Sequence, residues 1–168
     1  MNLHKSPVNG YYCKNDPGEP NWNTPRLSVN DIEARIVSEF CRGLDVLEIG
    51  TGLGVSTREM AKRARKVHTV DIDLWVKNNI VPGLPENVVF WESIENIPKG
   101  LGAAFVDGYH EYMQCLKDIE DVKRLVKPGG ILLFHDYRMP AVFRAVSVSG
   151  LDAVVIETTA GLGLAWNE

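Results

Sequence analysis

The chain has 168 residues and a formal net charge of −4, with 45% hydrophobic and 24% charged residues. This length favours one domain with a buried core. The mixed charges argue against a nucleic-acid partner, which needs clustered Lys and Arg. No apolar run is long enough to cross a membrane, and residues 1–9 lack the apolar core of a signal peptide. The cysteines Cys13, Cys41 and Cys115 form no C-x-x-C pair, so we expect reduced thiols in a cytoplasmic protein with no membrane partner.

The first segment differs in composition from the rest. Residues 1–26 are rich in Asn, Pro, Gly and aromatic residues, which predicts an irregular N-terminal arm ahead of a single domain over 27–168. A helix is predicted over 29–41, with Ser28 as its N-cap. Its helical spacing is carried by Ile32, Ile36, Val37 and Phe40.

Strands and helices then alternate. The predicted strands are 45–49, 66–72, 88–91, 103–107, 130–135, 153–158 and 162–166. The predicted helices are 56–65, a short piece after Asp73, 111–126 and 141–149. The last two strands flank the turn 159–161, which suits a hairpin. The fold class predicted is therefore α/β: a doubly wound, Rossmann-like, mostly parallel seven-stranded sheet with an antiparallel C-terminal hairpin strand and helices on both faces.

A glycine-rich turn follows the first strand of this series. The sequence V-L-E-I-G-T-G-L-G-V-S over residues 46–56 places Gly50, Gly52 and Gly54 between a buried strand and a helix. Such a turn brings bare backbone N–H groups close to a ligand. The spacing is G-x-G-x-G, one residue shorter than the dinucleotide fingerprint G-x-G-x-x-G.

Polar residues follow the next two strands. Asp71 ends the second strand, where an acid can accept hydrogen bonds from both hydroxyls of a ribose. Asp71 alone does not choose between cofactors, and Asp73 is expected to cap the next helix. The third strand ends in Phe90-Trp91-Glu92-Ser93, where core packing is the expected role of Trp91.

The ends of the fourth and fifth strands carry acids and histidines. The fourth leads into D-G-Y-H-E-Y over 107–112, and the fifth ends in H-D at His135 and Asp136 after the turn K-P-G-G. Two carboxylates at neighbouring strand ends repel each other unless a cation or a proton lies between them. His110 is our first choice for a general base and His135 the second.

Taken in order, these motifs resemble those of class I S-adenosylmethionine-dependent methyltransferases. D-G-x-H-x-Y followed by P-G-G-x-x-x-x-H-D is similar to small O-methyltransferases of the macrocin type, and the resemblance covers residues 44–166. It implies S-adenosylmethionine as the cofactor, and in metal-dependent relatives Mg²⁺ held by Asp107 and Asp136, to which His135 is added here as a ligand. The catalytic residues implied are His110, Asp107 and Asp136. The cofactor-binding residues implied are Glu48, Gly50, Thr51, Gly52, Gly54, Ser56, Asp71, Glu92, Ser93 and Asp107.

The resemblance implies more detailed roles as well. Ser56 would address the methionine carboxylate, Glu48 its amino group, and Glu92 or Ser93 the adenine. One position departs from the pattern, because Tyr137 follows Asp136 where catechol-type enzymes have an amide ligand. A complete three-ligand metal site is therefore not evident in the sequence.

Three functions are compatible with these residues. The first is O-methylation of a hydroxyl on a sugar, phenol or other small molecule, with or without Mg²⁺. The alternatives are an NAD(P)-dependent oxidoreductase, which the early third glycine disfavours, and a cofactor-binding module without catalysis. The acceptor pocket would be built by the N-terminal arm, residues 74–86, residues 137–143 or a second subunit of a homodimer, with Trp22, Trp75 and Tyr137 as lining candidates.

Overall fold

The computed structural model describes the backbone of residues 3–5 and 11–13 and the whole of residues 29–168. Strand β1 (Leu3–Lys5) pairs antiparallel with β2 (Tyr11–Cys13), so the arm predicted to be irregular contains a short two-stranded sheet. Trp22 and Ser28 lie outside the described residues.

A seven-stranded sheet forms the centre of the domain. Its strands are β3 (Asp45–Ile49), β4 (Lys66–Val70), β5 (Val88–Trp91), β6 (Leu101–Val106), β7 (Val126–Phe134), β8 (Val154–Ile156) and β9 (Leu162–Trp166). They are ordered β5-β4-β3-β6-β7-β9-β8; the first five are parallel, and β9 is antiparallel to both β7 and β8. The predicted fold class is confirmed.

The predicted helices are present, although the bounds of each differ from the prediction. They are α1 (Asp31–Phe40), α2 (Val55–Ala61), α3 (Leu74–Asn79), α4 (Tyr112–Leu125) and α5 (Pro140–Val148). The N-cap of α1 is Asn30, whose side chain accepts the N–H groups of Ile32 and Glu33, and not Ser28 as predicted. Among the helices in the described part of the chain, none combines the length and the apolar character needed to span a membrane.

Apolar side chains pack on both faces of the sheet. Successive residues of a strand face opposite sides, so β6 sends Ala104 into one cluster and Phe105 into the other. The first cluster is covered by α4 and α5, which contribute Ile119 and Val142. The second is covered by α1 and α2. Because helices cover both faces of the sheet, the polar residues of the predicted site can be exposed at the carboxyl ends of the strands.

Candidate active site

The glycine turn and the end of β6 are locked together. The carboxyl ends of β3 and β6 are neighbours, and Asp107 N–H donates to the Ile49 carbonyl over 2.8 Å. Gly50 has φ +93°, and a Cβ there would lie 2.1 Å from the Asp107 carbonyl oxygen. Only glycine fits this position. This backbone contact therefore joins the predicted cofactor loop to Asp107, the predicted catalytic acid.

Asp71 lies beside this loop, at the end of β4. Its Oδ2 accepts the Gly52 N–H over 3.0 Å, and its Oδ1 accepts the Asp73 N–H over 2.9 Å. Asp73 caps α3 by accepting the Trp75 N–H over 2.8 Å, as predicted. The Asp71 carboxylate therefore supports the glycine turn from the end of β4.

Glu48 is completely buried beneath the loop. The Ser56 hydroxyl donates to its Oε1 over 2.5 Å, and the Thr57 and Thr69 hydroxyls donate to its Oε2 over 2.6 Å each. Thr51 extends this chain through its own hydroxyl, 2.6 Å from that of Thr69. Burial raises the pKa of Glu48 to about 7, against the lowering effect of the three hydroxyl bonds. The Ser56 and Thr51 side chains therefore face inward and support the turn from below.

Arg58 fixes the end of the glycine turn. Gly54 has φ +72° and precedes α2 as its N-cap residue. The Arg58 guanidinium donates from Nη1 to the carbonyls of Leu53 (2.9 Å) and Gly54 (3.0 Å). A Cβ on Gly54 would lie 2.6 Å from that nitrogen.

The end of β5 carries the residues predicted to hold adenine. Glu92 is exposed and accepts the Lys77 ammonium over 2.7 Å. The Ser93 hydroxyl oxygen accepts the Glu95 N–H over 3.3 Å. Trp91 donates its indole N–H to His68 Nδ1 over 3.1 Å and packs against the core, which agrees with the role expected of it.

Two of the three residues predicted to line an acceptor pocket are buried. Trp75 packs with Leu53, Val76 and Ile80 beside the glycine turn. Tyr137 lies against Gly163, where a Cβ would be 2.3 Å from its ring. Both side chains are packed in the core, so neither is open to an acceptor in this structure.

Asp107, His110 and Asp136 converge at the ends of β6 and β7. Each offers one metal-ligating atom, and the three atoms lie within 4.8 Å of one another. His110 Nε2 is 3.2 Å from Asp136 Oδ2 and 3.8 Å from Asp107 Oδ1. This nitrogen is buried, yet within the described part of the chain it has no hydrogen-bond partner, because Asp107 Oδ1 is too distant and Asp136 Oδ2 is not aligned with it. It is therefore a buried polar atom whose two nearest acidic groups leave it unsatisfied.

The backbone at Asp136 is held in an uncommon conformation. Asp136 has φ +50°, the one positive value among the described residues other than glycine. Its carbonyl accepts the Met139 N–H over 2.8 Å, which closes the turn into α5. Strained residues of this kind persist where the surroundings fix them, often at functional sites. The turn aims the Asp136 carboxylate towards His110.

His135 lies behind these groups and connects them to α1. Its Nδ1 is 3.0 Å from Asp107 Oδ1 and 3.2 Å from Asp136 Oδ2, and its Nε2 is 3.1 Å from Glu33 Oε2. Burial by itself would lower the pKa of His135. The charge of Asp107 and the bonds to all three carboxylates outweigh this effect and raise the pKa to about 12. For Glu33, burial likewise works against ionisation, but bonds from His135 and the backbone of Ala160 hold its pKa at about 2.

Glu33 is the site residue that the sequence analysis missed. It is 1% exposed, although a glutamate on an amphipathic helix is normally expected to face water. The available signal was its spacing of four residues from Val37, which is fully buried. Ile32, counted among the apolar positions of α1, is instead 66% exposed.

The parallel sheet with its antiparallel hairpin, and the glycine turn facing acids at the neighbouring strand ends, define a class I methyltransferase. The chain belongs to the methyltransferase-domain family, whose sequence profile matches residues 47–137, more than half of its length.

Solved structures agree on the fold. The chain is similar to cofactor-bound Rv0187 from MTB, with TM-score 0.71 and 20% identity, covering 86% of this chain and 84% of that one. It is also similar to TomG from Streptomyces achromogenes in complex with SAM, with TM-score 0.69, 16% identity, and 89% and 83% of the two chains covered. A third is the Bacillus cereus O-methyltransferase in complex with SAH, with TM-score 0.66, 16% identity, and 84% and 83% covered.

One curated relative shares part of the sequence. The uncharacterized protein R132 of Acanthamoeba polyphaga mimivirus is 31% identical over 62 residues. The match spans 32% of this chain and 28% of that protein. It is therefore a local likeness.

Proposed function

We propose that the protein transfers the methyl group of S-adenosylmethionine to a hydroxyl oxygen of a small acceptor. The observation that carries the proposal is the contact of Gly50 with the backbone of Asp107, which joins a cofactor-type loop to a group of acids and a histidine. Methyl transfer needs this arrangement, because a sulfonium methyl must be held in line with a nucleophile. The Bacillus cereus and Streptomyces achromogenes structures, with SAH and SAM, support the choice of cofactor.

The cofactor would lie along the ends of β3, β4 and β5. The bare backbone at Gly52 has no atom within 4 Å of the position a Cβ would take, so the loop offers an open approach there. Asp71 would accept hydrogen bonds from the ribose hydroxyls. Glu92 and Ser93 would border the adenine. We assign to Glu48 and Ser56 the indirect role of supporting the loop, since their polar atoms bond each other.

His110 is the proposed general base. Its Nε2 lacks a hydrogen-bond partner among the described residues and lies 3.2 Å from Asp136 and 3.8 Å from Asp107, and an acceptor hydroxyl would lie beside these groups. The hydroxyl oxygen would form the new bond to the methyl carbon as the carbon–sulfur bond breaks. The hydroxyl proton would pass to His110 Nε2, and S-adenosylhomocysteine would leave.

The acceptor side also fits a divalent cation. Two carboxylates and an imidazole within 4.8 Å of one another form a usable donor set. We propose Asp107 and Asp136 as the ligands, because Mg²⁺ prefers oxygen and imidazole suits other metals. His135 remains a weaker candidate, since its Nδ1, the nitrogen that faces the acids, already bonds Asp136 and lies 3.0 Å from Asp107. A bound ion would lower the pKa of the acceptor hydroxyl.

Exposed apolar side chains lie near the catalytic group in sequence. They are Tyr109, Met113, Met139 and Phe143, just before or within the first turns of α4 and α5. Burying these side chains against an acceptor would be favourable. This supports an acceptor with an apolar or aromatic body, such as a phenol.

The test is transfer of a tritiated methyl group from S-adenosylmethionine to panels of phenols and sugars, with Mg²⁺ and with EDTA. We expect transfer to at least one phenol, and a drop of about 10²-fold or more for His110→Gln. His68→Gln is the matched control, because His68 bonds Trp91 away from the acids. Wild-type protein that binds S-adenosylhomocysteine but methylates nothing would favour the binding-module alternative. Full activity of His110→Gln would contradict the assignment of the base.

A further inference from the structure

Glu33 reaches the acceptor side from outside the segment that matches the family. It lies on α1, ahead of residues 47–137, and is separated from His135 by 102 positions. Its Oε1 accepts the Ala160 N–H over 2.9 Å, in the loop between β8 and β9. Its Oε2 accepts the amide N–H of Asn30 and lies 3.1 Å from His135 Nε2. One buried carboxylate thus meets three nitrogen donors.

The two nitrogens of His135 face different partners. Nε2 faces Glu33, and Nδ1 faces Asp107 and Asp136. An ionised carboxylate can only accept hydrogen bonds, so the bond to Glu33 requires a proton on Nε2. That bond also fixes the ring plane, because an imidazole turned over would put carbon atoms opposite the carboxylates. A partner on the far nitrogen is the usual way in which a functional histidine is oriented.

We propose that Glu33 is a positioning residue that acts through His135. It holds the ring with Nε2–H towards α1 and Nδ1 between Asp107 and Asp136, which keeps these two carboxylates apart at the spacing that the acceptor and His110 require. The predicted effect on kcat rests on the proposed methyl transfer, whereas the predicted orientation of the His135 ring does not depend on it. If Glu33 only connected α1 to the β8–β9 loop, altering Glu33 would leave the protonation and orientation of the His135 ring unchanged.

The first arm of the test is ¹⁵N NMR of the histidine rings, with the His135 signals assigned by their loss in His135→Asn. In the wild type we expect a protonated Nε2, with a shift that changes in Glu33→Gln and stays unchanged in Glu39→Gln. Glu39 is the matched control, because it lies on the same helix, exposed and paired with Arg42. An unprotonated Nε2 in the wild type would overturn the proposal. A His135 ¹⁵N shift that is the same in Glu33→Gln as in the wild type would also overturn it.

The second arm is a double-mutant cycle on methyl transfer. Glu33→Gln should lower kcat about tenfold, with affinity for S-adenosylhomocysteine and KM for S-adenosylmethionine within about twofold. In a His135→Asn background, Glu33→Gln should lower kcat little further. An equal loss in both backgrounds, or no loss in either, would overturn the proposal. A wild type without methyl transfer would refute the proposed function and leave the NMR arm to decide the role of Glu33.

Discussion

Glu48 gives the fold a measurable pH dependence. Its pKa is raised from 4.5 to about 7 by complete burial, so the folded state favours the protonated carboxyl. The stability that this preference contributes is fully present below the unfolded pKa and is lost as pH rises through 7. One pKa unit corresponds to about 1.36 kcal/mol, and linkage between about pH 5 and about pH 8 gives a loss of about 2.5 kcal/mol.

The assay is urea unfolding of the wild type and of Glu48→Gln at several pH values. Gln cannot titrate but keeps an oxygen that accepts the hydroxyls of Ser56, Thr57 or Thr69. The other titrating groups act on both proteins, so they cancel in the difference of unfolding free energies. We expect that difference to move by about 2.5 kcal/mol in favour of the variant as pH rises over this range. A difference that stays constant with pH, or that moves the other way, would refute the reasoning.

Three further outcomes follow from the loop and the acids. Gly50→Ala should abolish binding of S-adenosylhomocysteine in calorimetry, because a Cβ would lie 2.1 Å from the Asp107 carbonyl oxygen, and binding at wild-type affinity would refute this. Asp71→Asn should weaken the same binding about tenfold through the lost charge-assisted bonds to ribose, and unchanged affinity would remove Asp71 from the site. If the acids hold an ion, Asp136→Asn should lower Mg²⁺ affinity in calorimetry, and equal Mg²⁺ heats in variant and wild type would contradict that.

Local patterns in the sequence predicted most of the fold. The bounds of β3, β5 and β9 agree with the prediction to the residue, because each is a short apolar run closed by turn residues. Helix α2 ends at Ala61, four residues before the predicted end. Strand β7 begins at Val126, directly after α4, and so includes the K-P-G-G segment that was predicted as a turn.

The sequence predicted the strand ends that carry the site but not the partners of each side chain. Asp107, His110 and Asp136 meet because parallel strands end at one edge, and motif order alone indicates this. The Glu33–His135 pair joins residues 102 positions apart, and no local period encodes such a contact. The sequence also did not show that the Ser56 side chain faces inward, because a serine at the start of a helix can bond a ligand or a buried carboxylate equally well.

The proposed function requires the glycine loop to bind the product of methyl transfer beside a metal-compatible group of acids. The decisive measurement is calorimetric titration with S-adenosylhomocysteine, in Mg²⁺ and again in chelator. We predict binding under both conditions, with a heat that changes with Mg²⁺ if the ion lies between Asp107 and Asp136. No binding under either condition would contradict S-adenosylmethionine as the cofactor, and titration with NADH would then test the oxidoreductase alternative.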